Sequence, residues 1–317
     1  ILLLCFFVSP LVFSQSVTVE AIKSRGYLRC GVNPGLPGFS ASGEDGVWKG
    51  FDVDFCKVLA VAILKDKDKV EYVPVTAQER FGLLSSNQID VLLRNSTLTF
   101  SQDVSSDVAF AAINFFDGQG FMVSALSGVE HAYDLDGSSI CVIKGSTSKD
   151  NLDRYFTNRQ LKYRTIYFDD IDNMLMSFES GKCDAVTADM SSLVVQKSLL
   201  AHPGGSVILP EVISKEPLAI SVRDSDIDFL KLVRWSLWAT VHAEELGVGI
   251  GNIVQVLENP GDMVVRLFNL DDESVLPLGV DTDFVKDIIE SVVENLKEEE
   301  LLKKRKLEDI IEEPIEL

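Results

Sequence analysis

The residues best suited to chemistry in this sequence are hydroxyl, amide and carboxylate groups that directly follow apolar runs. TLTFSQD (97–103) comes after the run 89–93, and KGST (144–147) comes after ICVI. Asp189 closes the run DAVTAD. In α/β proteins such groups, where a strand ends and a helix begins, hold small polar ligands, because the backbone amides of the helix start point outward. The three histidines are scattered without metal-ligand spacing, and no Ser-His-Asp set is present.

The length and charge of the chain limit the classes of function. Its 317 residues are enough for two domains, and its 46% hydrophobic and 25% charged residues are typical of a globular protein. The net charge of −20 argues against a nucleic-acid partner, which requires clustered Lys and Arg to neutralise phosphates.

The first sixteen residues, ILLLCFFVSPLVFSQS, have the length and apolar character of a signal-peptide core. Val12 and Ser14 suit a cleavage site before Gln15, with an alternative site after Ser16. The basic segment and initiator Met are absent, so we expect residues 1–16 to be a truncated signal peptide. No other run approaches the length of a membrane span. We therefore expect an exported, periplasmic protein.

Four cysteines remain after such cleavage: Cys30, Cys56, Cys141 and Cys183. An even number in an oxidising compartment predicts two disulfides, with three possible connectivities. Pairing 30–56 and 141–183 is favoured because it keeps each bond within one half of the chain. The alternative is four buried free thiols. Neither CxxC nor CxxH spacing occurs, so no zinc site is expected.

Hydrophobic periodicity predicts two similar α/β halves, each with its own open sheet. In the first half the predicted elements are a strand at 28–32, a helix at 52–65, a strand at 70–75, a helix at 78–86 and a strand at 89–93. In the second half they are a strand at 139–143, a helix at 148–158, a strand at 163–168, a helix at 170–181, a strand at 184–188 and a helix at 191–201.

Two extended runs, 117–125 and 216–222, are interpreted as crossings between the halves. A long amphipathic helix at 224–245 then rejoins the first half. We therefore predict a discontinuous first lobe, a second lobe and a tail, with the boundaries 17–118 plus 222–285, 119–221 and 286–317. The tail is charged and helix-forming; a solvated helix is favoured there over a partner-binding one.

These landmarks resemble the extracytoplasmic amino-acid-binding proteins of ABC importers, in particular the general L-amino-acid-binding group. The resemblance is collinear from about residue 20 to 270. It is carried by GYLRCGVNPGLPGFS (26–40), GFDVDFCKVLA (50–60), ERFGLLSSNQIDVLLRNSTLTFSQD (79–103), FFDGQGFMV (115–123), ICVIKGSTS (140–148), ESGKCDAVTAD (179–189) and EPLAISVRDSD (216–226).

The resemblance implies a clamshell of two α/β lobes joined by two hinge strands that closes over a free amino acid. It also implies a monomer that delivers this ligand to the membrane permease of an ABC transporter, with no cofactor or metal. An enzyme of dehydratase type on the same scaffold is the alternative, but no acid or base is left over for chemistry. A sensor domain is a second alternative.

Site roles follow from the resemblance in the second lobe. An amino acid presents an ammonium, which requires a buried carboxylate, and a carboxylate, which requires arginine or helix-start amides. Asp189 matches the family's ammonium-binding acid; the alternative is that it caps the following helix. Ser146 and Thr147, with their backbone amides, match an anion-binding turn for the ligand carboxylate; the alternative is a plain capping turn.

In the first lobe, Asn95 and Thr97 match polar positions that face the ligand. The family usually carries a carboxylate-binding arginine five residues after Thr97, and this chain has Gln102 there. Glutamine donates hydrogen bonds without charge, so the resemblance predicts weaker carboxylate binding. Arg94 is expected to support the loop.

Leu36 and Phe39 follow the first strand in the segment NPGLPGF. Because two prolines stiffen this segment, we expect these side chains to line the pocket for the ligand side chain. The alternative is that Phe39 belongs to the core.

Overall fold

The computed structural model describes residues 15–105, 107–268 and 271–292. Residues 1–14 of the predicted signal peptide (1–16) and the part of the predicted tail beyond residue 292 lie outside the described residues. The start of that tail is described, since residues 284–292 form a helix.

The described chain alternates strands and helices, as the hydrophobic periodicity predicts. The strands are β1 (Leu28–Val32), β2 (Gly35–Leu36), β3 (Ser40–Ser42), β4 (Trp48–Lys49), β5 (Val70–Pro74), β6 (Val91–Thr97), β7 (Val108–Ser124), β8 (Ser138–Ile143), β9 (Tyr163–Phe168), β10 (Ala185–Asp189), β11 (Ser206–Ile208) and β12 (Ser214–Arg223). The α-helices are α1 (Val17–Arg25), α2 (Phe51–Leu64), α3 (Arg80–Ser85), α4 (Phe100–Ser105), α5 (Ser148–Asn158), α6 (Ile171–Glu179), α7 (Met190–Leu199), α8 (Ile227–Glu245), α9 (Ile253–Glu258), α10 (Asp262–Phe268), α11 (Asp272–Val275) and α12 (284–292).

The main sheet runs through both halves of the molecule in the order β5-β1-β6-β12-β7-β10-β8-β9, with β11 paired to β7. Strand β1 is parallel to β5 and β6, and β8 is parallel to β9 and β10. These two parallel parts are the lobes of the predicted two-lobed α/β clamshell, which the structure confirms.

The sequence predicts a separate sheet for each half. In the structure the two crossing strands join the two parallel parts into one continuous sheet. β7 and β12 pair antiparallel along their length, from Val108 opposite Arg223 to Gln119 opposite Ser214. Both strands are longer than predicted, because the β-prone residues on either side of the expected crossings continue the pairing. The crossings are therefore a two-stranded ribbon through the middle of the molecule.

Each half has its own apolar core and its own disulfide. In the first half, α2 and α8 pack on the sheet around buried residues such as Leu59 and Phe229. In the second half, separate clusters form on the two faces of the sheet. Cys30 is bonded to Cys56 and Cys141 to Cys183, with Cα atoms 6.2 and 5.7 Å apart. The predicted pairing within each half is confirmed.

Candidate functional site

A cavity of about 220 Å³ lies between the two halves of the molecule. Its wall includes five of the residues that the sequence predicts for the site: Asn95, Thr97, Ser146, Thr147 and Asp189. Further polar wall residues are Asn33, Thr76, Arg80, Arg94, Ser148, Asp169, Asp170, Asp172, Thr187, Ser192 and Gln196. The cavity therefore takes its groups from both halves of the molecule.

Three predicted site residues lie outside this wall. Leu36 and Phe39 are buried in a small apolar cluster with Leu218, where the rings of Phe39 and Phe115 stand 5.3 Å apart. Their side chains turn inward because these apolar partners cover them, which is the core alternative for Phe39. Gln102 lies on the short helix α4, where its backbone N–H donates to the Thr99 hydroxyl at 3.3 Å.

Asp189 ends strand β10 and is only 9% exposed in the cavity wall. Asp189 stands at the N-cap position of helix α7, but no backbone N–H of that helix donates to its side chain, so the predicted capping alternative does not occur. Burial, followed by repulsion from Glu216 and Asp117, raises the Asp189 pKa well above its ordinary value. The guanidinium groups of Arg94 and Arg80 act in the opposite direction. A cation bound here would relieve the repulsion among these carboxylates.

Two arginines, the buried Arg80 and the half-buried Arg94, supply positive charge to the same cavity. Arg80 is 3% exposed and donates from Nη1 to the carbonyl oxygen of Gly145 at 3.1 Å. Arg94 donates from Nε to the carbonyl oxygen of Val75 at 2.9 Å, which fixes its guanidinium in the wall. Desolvation lowers their pKa values to about 9 and about 10, so both remain protonated at neutral pH.

The sequence prediction missed Arg80 and gave Arg94 only a supporting role. Arg80 had a detectable signal, since it shares the buried face of α3 with Leu84, four residues along the helix. A charged residue on an apolar face is rarely buried without a partner or a ligand. The signal for Arg94 was weaker, because a strand residue gives no such pattern.

Asp52 is a second buried acid, and no site role was predicted for it. It lies in the first turn of α2 and is 1% exposed. Burial raises its pKa to about 7, against the lowering effects of Asn95, Asn114 and Arg94. Asn95 has a positive φ of 39° and accepts a 3.0 Å hydrogen bond from Asn33 on its side-chain oxygen. Asn95 is thus held in the cavity wall by hydrogen bonds with Asn33 and Asp52.

The two halves touch at the turn that contains Gly145. This residue has a φ of +78°, and a Cβ atom placed on it would lie 2.7 Å from the Cα atom of Gln78 in the other half. The Ser146 hydroxyl donates to the carbonyl oxygen of Ile143 at 2.7 Å. The described state therefore has the halves closed on each other at the edge of the cavity.

Metal and membrane features are absent from the part of the chain that the structure describes. Within the ranges 15–105, 107–268 and 271–292, His, Cys, Asp and Glu nowhere form a group of three able to hold a metal ion. In the same ranges, no helix combines the length and apolar character needed to cross a bilayer.

The two-lobed fold with a polar cavity between the lobes defines an extracytoplasmic solute-binding protein. Residues 28–157 match the family of bacterial extracellular solute-binding proteins, family 3. The chain is 43% identical to the glutamate/glutamine/aspartate/asparagine-binding protein BztA of Rhodobacter capsulatus, over 86% of this chain and 81% of that protein. It is 37% identical to the general L-amino acid-binding periplasmic protein AapJ of Rhizobium johnstonii, over 88% and 82%.

A solved structure gives the same assignment. The periplasmic binding protein of an ABC transporter from Brucella ovis, with glutathione bound, is 41% identical and covers 87% of each chain with a TM-score of 0.82. The chain belongs to the bacterial extracellular solute-binding proteins of family 3.

Proposed function

We propose that this protein is the solute-binding component of an ABC importer and that it captures L-amino acids between its two lobes. The observation that carries the proposal is that the wall of one cavity has an acidic side chain on one side and two basic side chains on the other. Asp189 lies on β10 of the second half, whereas Arg80 and Arg94 come from the first half. A zwitterionic ligand can pair with both sides of the wall at once. Its ammonium would bind the acidic side and its carboxylate the basic side, and each charge would be compensated as it loses its water.

The relatives support the class of ligand. BztA and AapJ are named as amino-acid-binding proteins, and the Brucella ovis protein holds glutathione, which is itself built from amino acids. We assign ammonium binding to Asp189 and carboxylate binding to Arg94, Arg80 and the backbone amides around Thr147. The ligand would then pass to the membrane permease of the transporter. A catalytic role is not part of the proposal, because the relatives are named as binding proteins.

Closure requires a hinge, and the two-stranded ribbon of β7 and β12 supplies it. We propose the lobes as 17–118 plus 222–285 and 119–221, so that both crossings bend between the same two bodies. Residues 1–16 are proposed as the signal that exports the protein to the periplasm.

A thermal-shift screen tests the proposal. The protein is heated with each of the twenty L-amino acids, with glutathione, and with no addition. A bound ligand stabilises the folded state by mass action, so at least one L-amino acid should raise the melting temperature. The proposal fails if no amino acid shifts the melting temperature at 10 mM, taking roughly 1 mM as the weakest useful dissociation constant.

A further inference from the structure

Glu216 lies behind the cavity wall, where the second crossing strand passes between the halves. Its side chain is 2% exposed and does not line the cavity. Thr97 of the first half and Thr147 of the second half both donate their hydroxyl hydrogens to its Oε2, at 2.6 and 3.0 Å. Asn151 and Ser214 donate to its Oε1. One carboxylate is thus the shared acceptor for a hydroxyl from each side of the cavity.

The Asn151 side chain, on the side of Glu216 away from the threonines, has a fixed orientation as well. Arg154 donates to the Asn151 side-chain oxygen, which leaves the Asn151 amide nitrogen to donate to Glu216 at 2.6 Å. The Asn151 nitrogen also donates to the Gln119 side-chain oxygen at 2.8 Å. All four hydrogen-bond partners of the Glu216 side chain can donate, and an ionised carboxylate can only accept.

The direction of these hydrogen bonds decides what the two threonines offer to a ligand. A hydroxyl has one hydrogen and two lone pairs. With both hydrogens committed to Glu216, Thr97 and Thr147 present only lone pairs toward the cavity. Their oxygens are 3.4 Å apart, a distance at which either hydroxyl could also donate to the other. Because Glu216 Oε2 is nearer to both and takes both hydrogens, the two oxygens together form one acceptor edge.

We propose that Glu216 is a positioning residue that makes the Thr97–Thr147 edge a second contact for the ligand ammonium, beside Asp189. This rests on the proposed function, and it reverses the expectation from the sequence that the Thr147 hydroxyl binds the ligand carboxylate. The edge then selects an α-ammonium over an α-hydroxyl, because an ammonium has three hydrogens and a positive charge to share among Asp189 and the two threonines.

The variant Glu216→Gln tests the proposal. Because Asn151 donates to the Oε1 side of residue 216, we expect the glutamine oxygen on that side and its amide nitrogen beside the threonines, where it must donate at least one hydrogen. The threonine that accepts it turns its own hydrogen toward the cavity, and the acceptor edge is lost. Titration calorimetry compares L-alanine with L-lactate, L-aspartate with L-malate, and L-glutamate with L-2-hydroxyglutarate. The readout is the ratio of amino-acid to hydroxy-acid affinity for the pair that binds most tightly.

We expect this ratio to fall at least tenfold in Glu216→Gln, with hydroxy-acid affinity changed by less than threefold. A merely structural role would weaken both ligands by the same factor, and an unchanged ratio overturns the proposal. The matched control is Glu211→Gln, at a half-buried carboxylate away from the cavity that accepts from His131 at 2.7 Å. Its ratio should stay within twofold of wild type.

Two further results are decisive. If Glu216→Gln does not fold, Thr97→Val and Thr147→Val each remove one acceptor, and each should lower the ratio at least threefold; no change in either overturns the proposal. If the wild-type protein binds hydroxy acids as tightly as amino acids, the selectivity is absent and the inference fails while the cavity still binds carboxylates. If the wild type binds none of the amino acids in either this titration or the thermal screen, the proposed function fails with it.

Discussion

At the scale of single residues, the cavity is a set of charges held away from water without full compensation. Asp189 in the cavity wall and Asp52 outside it are buried acids whose pKa values are raised. In the wall, the buried Arg80 and the half-buried Arg94 are bases whose pKa values are lowered. Such burial costs free energy unless the charges are paired. The unliganded protein therefore gives up stability at this site, and a zwitterion restores it on binding.

The stability of the unliganded protein should depend on pH through Asp52. Its pKa is about 7 when folded and 3.8 in the absence of the fold, so the folded state binds this proton more tightly. The resulting stabilisation is fully present below the lower value and is lost as pH rises toward 7. Asp52→Asn cannot titrate. From pH 5 to pH 7.5 the wild-type protein should lose about 2 kcal/mol of its free energy of unfolding through Asp52. The Asp52→Asn variant should not show this loss.

Urea unfolding at several pH values measures this difference. The exposed residue Asp68 provides the control Asp68→Asn, which should follow the wild-type curve. Parallel curves for Asp52→Asn and wild type would mean that Asp52 is charged throughout this range, and the account of its burial would be wrong.

At the scale of secondary-structure elements, sequence periodicity was sufficient for most of the fold. Helix α5 and strands β1 and β9 begin and end at the predicted residues. Strand β6 was predicted to end at residue 93 but continues to Thr97, because its polar end pairs with β12. Pairing with a distant strand leaves no local signal in the sequence, so this extension could not be predicted.

Some residues of the site were predicted and others were not, and again the difference is whether the signal is local in the sequence. Asp189 and Thr147 lie where a strand gives way to a helix, which is a local pattern. The importance of Glu216 arises from Thr97 and Asn151, which are far from it along the chain. Leu36 was assigned to the pocket because nothing local reveals that other apolar side chains cover it.

The two disulfides link elements within each half and should stabilise them independently. The Cys30–Cys56 bond joins β1 to α2 across 26 residues of chain. Replacing both cysteines with serine should lower the free energy of unfolding by about 3 kcal/mol through the lost constraint on the unfolded chain. Urea unfolding of the double variant measures the loss. Peptide mapping of the unreduced protein should recover the 30–56 link, and a 30–141 link would contradict the assignment.

At the scale of the whole molecule, the function proposed here depends on closure of one lobe against the other. The contact between Gly145 and Gln78 is part of that closed state, and it has no room for a side chain. Since Arg80 also donates to the Gly145 carbonyl oxygen, the contact lies next to the charged part of the wall. Closure and ligand binding are therefore expected to be coupled.

Gly145→Ala should hinder closure and so weaken amino-acid binding at least tenfold. Gly128 provides a matched control, because it has a similar φ of +74° but no atom within 4 Å of an added Cβ. Gly128→Ala thus carries the same backbone strain without the clash, and its affinity should stay within twofold of wild type. Calorimetry measures both, and equal losses in the two variants would show that strain, not closure, is responsible.

A calorimetric titration of wild type and Asp189→Asn, with the amino acid that gives the largest thermal shift, tests most directly whether Asp189 binds the ligand ammonium. We predict that wild type binds with a dissociation constant of about 1 mM or lower and that Asp189→Asn loses at least a hundredfold in affinity, since a buried charge pair is broken. The control Asp68→Asn should match wild type. Equal affinity in wild type and Asp189→Asn would contradict the assignment of this carboxylate to the ligand ammonium. It would also contradict the proposal that the cavity captures an amino acid between opposite charges.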